Sequence, residues 1–283
     1  MRARKVTGWA FVALLMLQTA CGGLLVGVSR GLREGARPGA NAGFNLFSPE
    51  QDIELGQASA EEIRRQLTVV RDERVERYVQ RLGERLAAGA PGYRFPYKFV
   101  VIASPEVNAF ALPGGYVFVN EGAIEAAHTE GELAGVLAHE IAHVSLRHGT
   151  TQASRAYLTK TGLNILSALT VAMQGDVGRL ASVLGGAGAD KFFVKSNRNA
   201  EAQADAEGAR LMAAAGYDPR EMAEFFERLE ERGGGGREEP GDHPDPASRV
   251  EAIGRVAAEL KQAPARAYDS EEFRRVRSRL SGR

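Results

Sequence analysis

The pentapeptide His139-Glu140-Ile141-Ala142-His143 constrains this chain more than any other feature. It matches HExxH, in which two imidazoles four residues apart project from one face of a helix. Because the chain has only 5 histidines in 283 residues, a chance match is expected well below once. We predict that His139 and His143 bind one zinc ion and that the Glu140 carboxylate is the general base for a metal-bound water. The alternative is an amphipathic helix with two hydrogen-bonded core histidines.

The residues around this motif predict a buried helix. Thr129 followed by Glu132 is typical of a capping box at a helix start. Apolar residues then recur at helical spacing, at Leu133, Val136, Leu137 and Ile141. Gly149 is the expected stop. The motif therefore has the helical context that such a metal site requires.

A second helix is expected to supply the third ligand. Residues 198–208 are rich in alanine and contain no proline, which favours a helix, and Glu201 and Asp205 share one face of it. A catalytic zinc site takes three protein ligands, so we predict Glu201 as the third. Asp205 would accept the second ring N–H of a zinc-bound histidine and fix its tautomer. The alternative is a solvated acidic face.

Three motifs together resemble one family. HExxH, then Glu201-x-x-Ala204-Asp205, then His243-Pro244 are similar to the zinc metallopeptidase family of the CAAX prenyl protease, HtpX and Oma1. Within that family, the chain most resembles the periplasmic lipoproteins typified by BepA and LoiP, over about residues 47–260. The resemblance implies a zincin-like α+β fold that is mainly α-helical.

The segment before the HExxH helix predicts a sheet. The runs at residues 97–103 and 116–120 are rich in β-forming residues, and glycine and proline lie between them, so we expect a small antiparallel sheet. An edge strand beside the metal would bind extended substrate through main-chain hydrogen bonds. The residues predicted to border the substrate cleft are Asn108, Ala109, Phe110, Gly114 and Gly115. The alternative is an ordinary hairpin with a Pro-Gly turn.

His243 lies in a predicted loop after a run of glycines at residues 233–236. The resemblance implies that it belongs to the active site as a catalytic residue. It would either donate to the oxyanion of the tetrahedral intermediate or occupy the fourth position of the zinc and keep the enzyme latent. A surface histidine is the alternative. Spacing gives no role to His128 or to His148, and His148 is expected to cap or pack at the end of the HExxH helix.

The first 20 residues have the pattern of a secretory signal peptide, with Arg2, Arg4 and Lys5 before a short apolar run. The only cysteine, Cys21, follows small residues, so we expect it to be lipidated and residues 21–45 to be a flexible tether. Ordinary signal-peptidase cleavage and an uncleaved anchor are the alternatives. The pattern predicts a lipid-anchored protein on the periplasmic side of the cell envelope, in the outer membrane.

The remaining chain predicts one large domain. Residues 46–262 are expected to form the peptidase domain and residues 263–283 a charged helical tail, without the carboxy-terminal helical-repeat domain of BepA-like proteins. The apolar runs at residues 159–173 and 180–184 are shorter than the roughly 20 residues of a membrane span. They are expected to be core helices or, alternatively, a lid-forming or membrane-facing hairpin. The 36 basic and 36 acidic residues balance, so no nucleic acid is expected as a partner.

These features predict an endopeptidase with one zinc ion per subunit. The resemblance implies unfolded or misassembled envelope proteins as substrates, in protein quality control. One alternative is a zinc-binding chaperone or adaptor with latent or no proteolysis, but the intact Glu140 argues against it because a protein that does not cut needs no base. Another is a structural lipoprotein, which a closed four-ligand site that includes His243 would favour.

Overall fold

Helices dominate the part of the chain that the computed structural model describes, which is residues 45–160, 198–231, 246–260 and 269–282. The helices are α1 (Pro49–Gln66), α2 (Glu73–Ala87), α3 (Glu121–Ala126), α4 (Glu130–Ser145), α5 (His148–Lys160), α6 (Arg198–Ala214), α7 (Arg220–Glu231), α8 (Pro246–Glu259) and α9 (Glu271–Ser281). The strands are β1 (Lys98–Ile102), β2 (Ala109–Ala111) and β3 (Tyr116–Asn120), and a single 3-10 turn, Pro113–Gly115, joins β2 to β3.

The sheet is mixed, with strand order β1-β3-β2. Strands β1 and β3 are parallel, with Val100 opposite Phe118, and β2 is antiparallel to β3. The α+β, mainly helical class is confirmed, but the expectation of an antiparallel sheet is wrong for β1 and β3. Strand β3 is buried along its whole length and takes the centre, as strands covered on both faces do. The short turn after β2 makes β2 run back beside β3.

Helix α4, which carries the HExxH motif, is the central helix of the fold. Thr129 caps it by accepting from the backbone N–H of Glu132 at 3.1 Å, as predicted. Every residue of α4 except His143 is buried. Such a helix is covered on all sides, and glycines let its neighbours come close. A Cβ at Gly208 of α6 would lie 3.2 Å from the backbone nitrogen of His139, and one at Gly135 would lie 2.6 Å from Met222 of α7.

The end of α4 differs from the expectation. Helix α4 ends at Ser145 and α5 begins at His148, so the predicted stop at Gly149 is wrong. Arg147 turns the chain instead, in a left-handed conformation (φ 56°) that is uncommon for a residue other than glycine. Its Nε donates to Asp52 Oδ2 at 2.7 Å and its Nη2 to the Phe47 carbonyl at 2.5 Å. These contacts with α1 and the residues before it hold the turn.

The carboxy-terminal helix α9 belongs to the main core. Its Phe273, Val276 and Leu280 are buried in the same apolar cluster as residues of α2 and α4. Ser270 caps α9 and also donates to Glu130, at the start of α4. The predicted boundary at residue 262 therefore separates elements that share one core.

Several predictions concern residues outside the described ranges. They are the signal peptide, Cys21 and most of the tether, the apolar runs beyond residue 160, and His243 with its glycine run. Among the described residues, no helix is both long and apolar enough to cross a membrane.

Candidate metal centre

The three predicted ligands converge, although they come from two helices. His139 and His143 of α4 and Glu201 of α6 offer ligand atoms that all lie within 4.8 Å of one another. The Nε2 atoms of the two histidines are 3.0 Å apart. Glu201 Oε2 lies 3.4 Å from His139 Nε2, and its Oε1 lies 3.5 Å from His143 Nε2. Two imidazole nitrogens and one carboxylate are a donor set of catalytic zinc sites, so these residues fit such a metal.

The cluster is buried to different depths. The side chains of His139 and Glu201 are 2% and 3% exposed, whereas that of His143 is 13% exposed. Glu140, the predicted base, is also buried, at 5% exposure. Burying polar groups is costly unless they are paired or bind a cation, and this cluster could bind a metal.

Asp205 lies beside the first histidine, as the spacing predicted. Its Oδ1 is 3.0 Å from His139 Nδ1, the ring nitrogen other than the one nearest Glu201. Arg249 of α8 donates to the same carboxylate, from Nε to Oδ2 at 3.0 Å and from Nη2 to Oδ1 at 2.8 Å. The guanidinium carbon of Arg249 also lies 3.8 Å from the centroid of the Phe226 ring. Sequence reasoning gave Arg249 no role, and its only local signal is the i, i+4 spacing to the buried Ile253.

The charges around His139 determine its protonation without metal. Burial and the Arg249 guanidinium lower the pKa of His139, but hydrogen bonds to Asp205 and Glu201 outweigh them and raise that pKa to about 9. Burial raises the pKa of Asp205, but hydrogen bonds from His139 and Arg249 outweigh it and lower that pKa to about 2. A metal ligand must be a neutral imidazole, so a metal must displace a proton from His139 at neutral pH.

His148 is a second residue whose contact with the candidate site sequence reasoning did not predict. Its Nδ1 lies 3.1 Å from His143 Nδ1, and its Nε2 lies 3.1 Å from Gln203 Oε1 of α6. The expectation was that it would cap or pack at the helix end. It is 9% exposed and begins α5, where the turn at Arg147 brings it back to His143. No pattern in the sequence marks this turn.

The predicted substrate-binding residues fall into two groups. Strand β2 packs against α4, and Asn108 and Phe110 at this strand are half-buried, with Ala109 buried between them. Gly114 and Gly115 are buried in the 3-10 turn with φ of 79° and 115°. A Cβ at Gly114 would lie 2.4 Å from the Ile53 Cα. A Cβ at Gly115 would lie 3.1 Å from the Pro96 carbonyl oxygen, so backbone packs closely against both glycines of the turn.

Residues 71–257 of this chain match the family model described as Peptidase family M48. The chain belongs to peptidase family M48. The resemblance found in the sequence motifs is thereby confirmed, and so is the expectation of a metallopeptidase at the level of the family. As an M48 chain, it has a His-His-Glu cluster that could bind a metal.

Curated relatives of this M48 chain include proteases from bacteria and mitochondria. It is 28% identical over 245 residues to the beta-barrel assembly-enhancing protease of Yersinia pestis, which covers 84% of this chain and 50% of that protein. It is 29% identical over 160 residues to the metalloprotease LoiP of Escherichia coli, 56% of this chain and 62% of LoiP. It is 32% identical over 153 residues to the mitochondrial metalloendopeptidase OMA1 of Schizosaccharomyces pombe, 54% of this chain and 43% of OMA1. The chain spans about half the length of the curated relatives it matches.

Proposed function

We propose that this chain is a zinc-dependent metalloendopeptidase of the bacterial cell envelope. The observation that carries the proposal is the convergence of ligand atoms from His139, His143 and Glu201 within 4.8 Å, beside a buried Glu140, in an M48 chain. Zinc is proposed as the metal because two imidazoles and a carboxylate, with a fourth position left for water, are typical of catalytic zinc.

The proposed mechanism assigns one task to each side chain. When bound by these three ligands, zinc would supply an acidified water and polarise the peptide carbonyl. Glu140 would take the proton of the attacking water and pass it to the leaving nitrogen. Asp205 would hold the His139 ring in its ligating orientation through the 3.0 Å contact at Nδ1. His243 keeps its two predicted roles, oxyanion donor or a ligand that blocks the fourth position.

Strand β2 is the proposed substrate-binding edge. Within the described residues it pairs with β3 on one side, and it packs against the helix that carries the metal ligands. An extended peptide could add to its other side through main-chain hydrogen bonds from the stretch Asn108–Phe110. Main-chain recognition gives affinity with little sequence preference, which suits unfolded segments of protein as substrates.

The proposed setting is quality control of misfolded or misassembled envelope proteins. One bacterial relative is named a beta-barrel assembly-enhancing protease. The predicted signal peptide and lipidation at Cys21 would hold the enzyme on the periplasmic side of a membrane, by preference the outer one.

Casein cleavage by the purified protein tests the proposal, with wild type beside Glu140→Gln and zinc measured on both. We expect the wild type to cut and the variant to keep its zinc while losing about 100- to 10,000-fold in rate, the usual contribution of a general base. His128→Ala, at an exposed histidine, is the matched control. The proposal would be contradicted if the wild type holds zinc and does not cut, and if His243→Ala, which removes a blocking ligand, does not cut either. That result would favour a zinc-binding chaperone or adaptor.

A further inference from the structure

We infer that His148 and Gln203 form a positioning pair that fixes the ring of His143 for metal binding, as Asp205 does for His139. The inference rests on the proposed metal site and adds two residues to it. Its basis is a chain of two contacts, from His143 Nδ1 to His148 Nδ1 at 3.1 Å and from His148 Nε2 to Gln203 Oε1 at 3.1 Å.

One arrangement of protons satisfies both contacts. The Nε2 atoms of His139 and His143 lie next to each other and to Glu201, so Nε2 is the metal side of each ring. A neutral imidazole carries one N–H, so His143 must then carry it on Nδ1. His148 Nδ1 must accept that hydrogen, which places the proton of His148 on Nε2. Gln203 Oε1, an acceptor, lies where this Nε2–H can donate.

The turn after α4 makes this contact possible. In a continued α-helix, a residue five positions on would lie roughly 140° around the axis and would not meet His143. The left-handed Arg147 ends the helix, and Asp52 holds that turn through its ion pair with the guanidinium. His148 therefore returns toward the ligand that precedes it.

The pair differs in charge from the partner of His139. Glu140, Glu201 and Asp205 already place three carboxylates in the buried centre, with Arg249 as the cation paired to Asp205. A neutral imidazole oriented by an amide fixes the His143 ring without adding a fourth carboxylate. His148 is buried whereas Gln203 is exposed, so water competes more for the His148–Gln203 contact than for the His143–His148 contact.

Zinc affinity of the full chain, measured by competition with a chelator, is the first test. We expect His148→Ala to weaken zinc binding about 10- to 100-fold, as loss of a residue that orients a ligand does. Gln203→Leu should weaken it in the same direction but less. His148→Asn should restore most of the affinity, because its side-chain oxygen can occupy the position of Nδ1. The double variant should bind little worse than His148→Ala alone, because both substitutions break one chain of contacts.

The tautomer of His148 provides a readout that a merely structural role would not move. Nitrogen-15 NMR of the histidine rings is practical because the chain has only 5 histidines. We expect the zinc-loaded wild type to show His148 with its proton on Nε2, and Gln203→Leu to shift that signal. His128→Ala should change neither the affinity nor the His148 signal.

The outcomes separate this inference from the proposed function. Wild type that binds no zinc overturns both. If wild type binds zinc and cleaves casein while His148→Ala binds zinc as tightly, the inference alone fails. A His148 ring with its proton on Nδ1 also overturns it. Should His148→Ala fail to fold, Gln203→Leu and the wild-type spectrum decide the matter.

Discussion

The two histidines of the HExxH motif have different surroundings. His139 is 2% exposed, and its outer ring nitrogen faces Asp205, a carboxylate that Arg249 of another helix also binds. His143 is 13% exposed, and its outer ring nitrogen faces the ring of His148. The outer ring nitrogen of His139 thus meets a buried carboxylate, whereas that of His143, nearer to solvent, meets another imidazole.

Because their surroundings differ, the two histidines should respond differently to substitutions of the residues beside them. The Asp205 carboxylate orients the ring of His139. Asp205 in turn pairs with the buried Arg249, because an unpaired buried charge is costly. A neutral His148, as inferred above, needs no counter-ion, so His143 can lie at the more exposed edge of the cluster. We therefore expect substitutions on the His139 side to alter both folding and metal binding, and those on the His143 side to alter mainly metal binding.

The largest effect is expected from Arg249→Leu. It removes the guanidinium from Asp205 at a site where the two side chains are 6% and 1% exposed, so that only the protonated His139 still faces this carboxylate. Unfolding free energy should fall by about 3 kcal/mol, the lower end of the range for a broken buried ion pair. Urea denaturation of the metal-free protein measures this loss. Arg255→Leu is the matched control, because its ion pair with Glu251 on the same helix is exposed and should be worth at most about 1 kcal/mol. Equal losses in the two variants would contradict the interpretation that the buried pair of Arg249 and Asp205 stabilises the fold more than an exposed pair does.

The pH dependence of the metal-free protein gives the next effect. The pKa of His139 is about 9 in the folded protein and near its ordinary 6.5 when unfolded. Its stabilising contribution is fully present below the unfolded value and is lost as pH rises from there through the folded value. The loss in unfolding free energy amounts to roughly 3 kcal/mol. In His139→Gln the free energy of unfolding should depend less on pH over this range.

The same pKa predicts a proton released on metal binding. Between those two pH values zinc should displace about one proton from His139, which calorimetry in buffers of different ionisation enthalpy detects. Two results together would contradict the interpretation that His139 has a charged partner and His143 does not. They are a metal-free protein whose stability does not fall between neutral and alkaline pH, and zinc binding without proton release.

Gly208→Ala is expected to have an intermediate effect. The added Cβ would lie 3.2 Å from the His139 backbone nitrogen, so we expect α6 to shift by a few tenths of an ångström from α4 and to carry Glu201 with it. We expect a loss of about 1–3 kcal/mol in unfolding free energy, as for other overpacked contacts, and weaker zinc binding. Gly254→Ala on α8 is the control, since a Cβ there meets nothing within 4 Å and should stabilise the helix by roughly 0.5–1 kcal/mol. Thermal unfolding and chelator competition measure both variants.

Phe226→Leu should have the smallest effect. It removes the ring that the Arg249 guanidinium faces at 3.8 Å, a contact worth about 1 kcal/mol. Chemical denaturation measures this loss, and Phe226→Tyr, which keeps the ring, should lose less. A larger loss than for Arg249→Leu would show that packing of the Phe226 ring, and not the ion pair of Arg249 with Asp205, contributes most of the stability beside His139.

Local patterns predicted much of the site and part of the fold. The i, i+4 spacings of His139 with His143 and of Glu201 with Asp205 determine which side chains share a helix face, whatever surrounds the helix. The cap at Thr129 is equally local, because its partner lies three residues away. The candidate ligands within each helix and the start of the central helix could therefore be predicted from neighbouring residues. Joining Glu201 to the HExxH motif also needed the rule that a catalytic zinc takes three protein ligands.

Only the tertiary structure decided which residues support those ligands. Arg249 and Gln203 contact the site across helix–helix interfaces, Gly208 permits one of those interfaces, and His148 arrives through a turn at Arg147 that Asp52 holds. The parallel pairing of β1 with β3 likewise depends on which strand is covered on both faces. These features depend on contacts between residues far apart in the chain, and a periodic pattern in one segment carries no information about its partner.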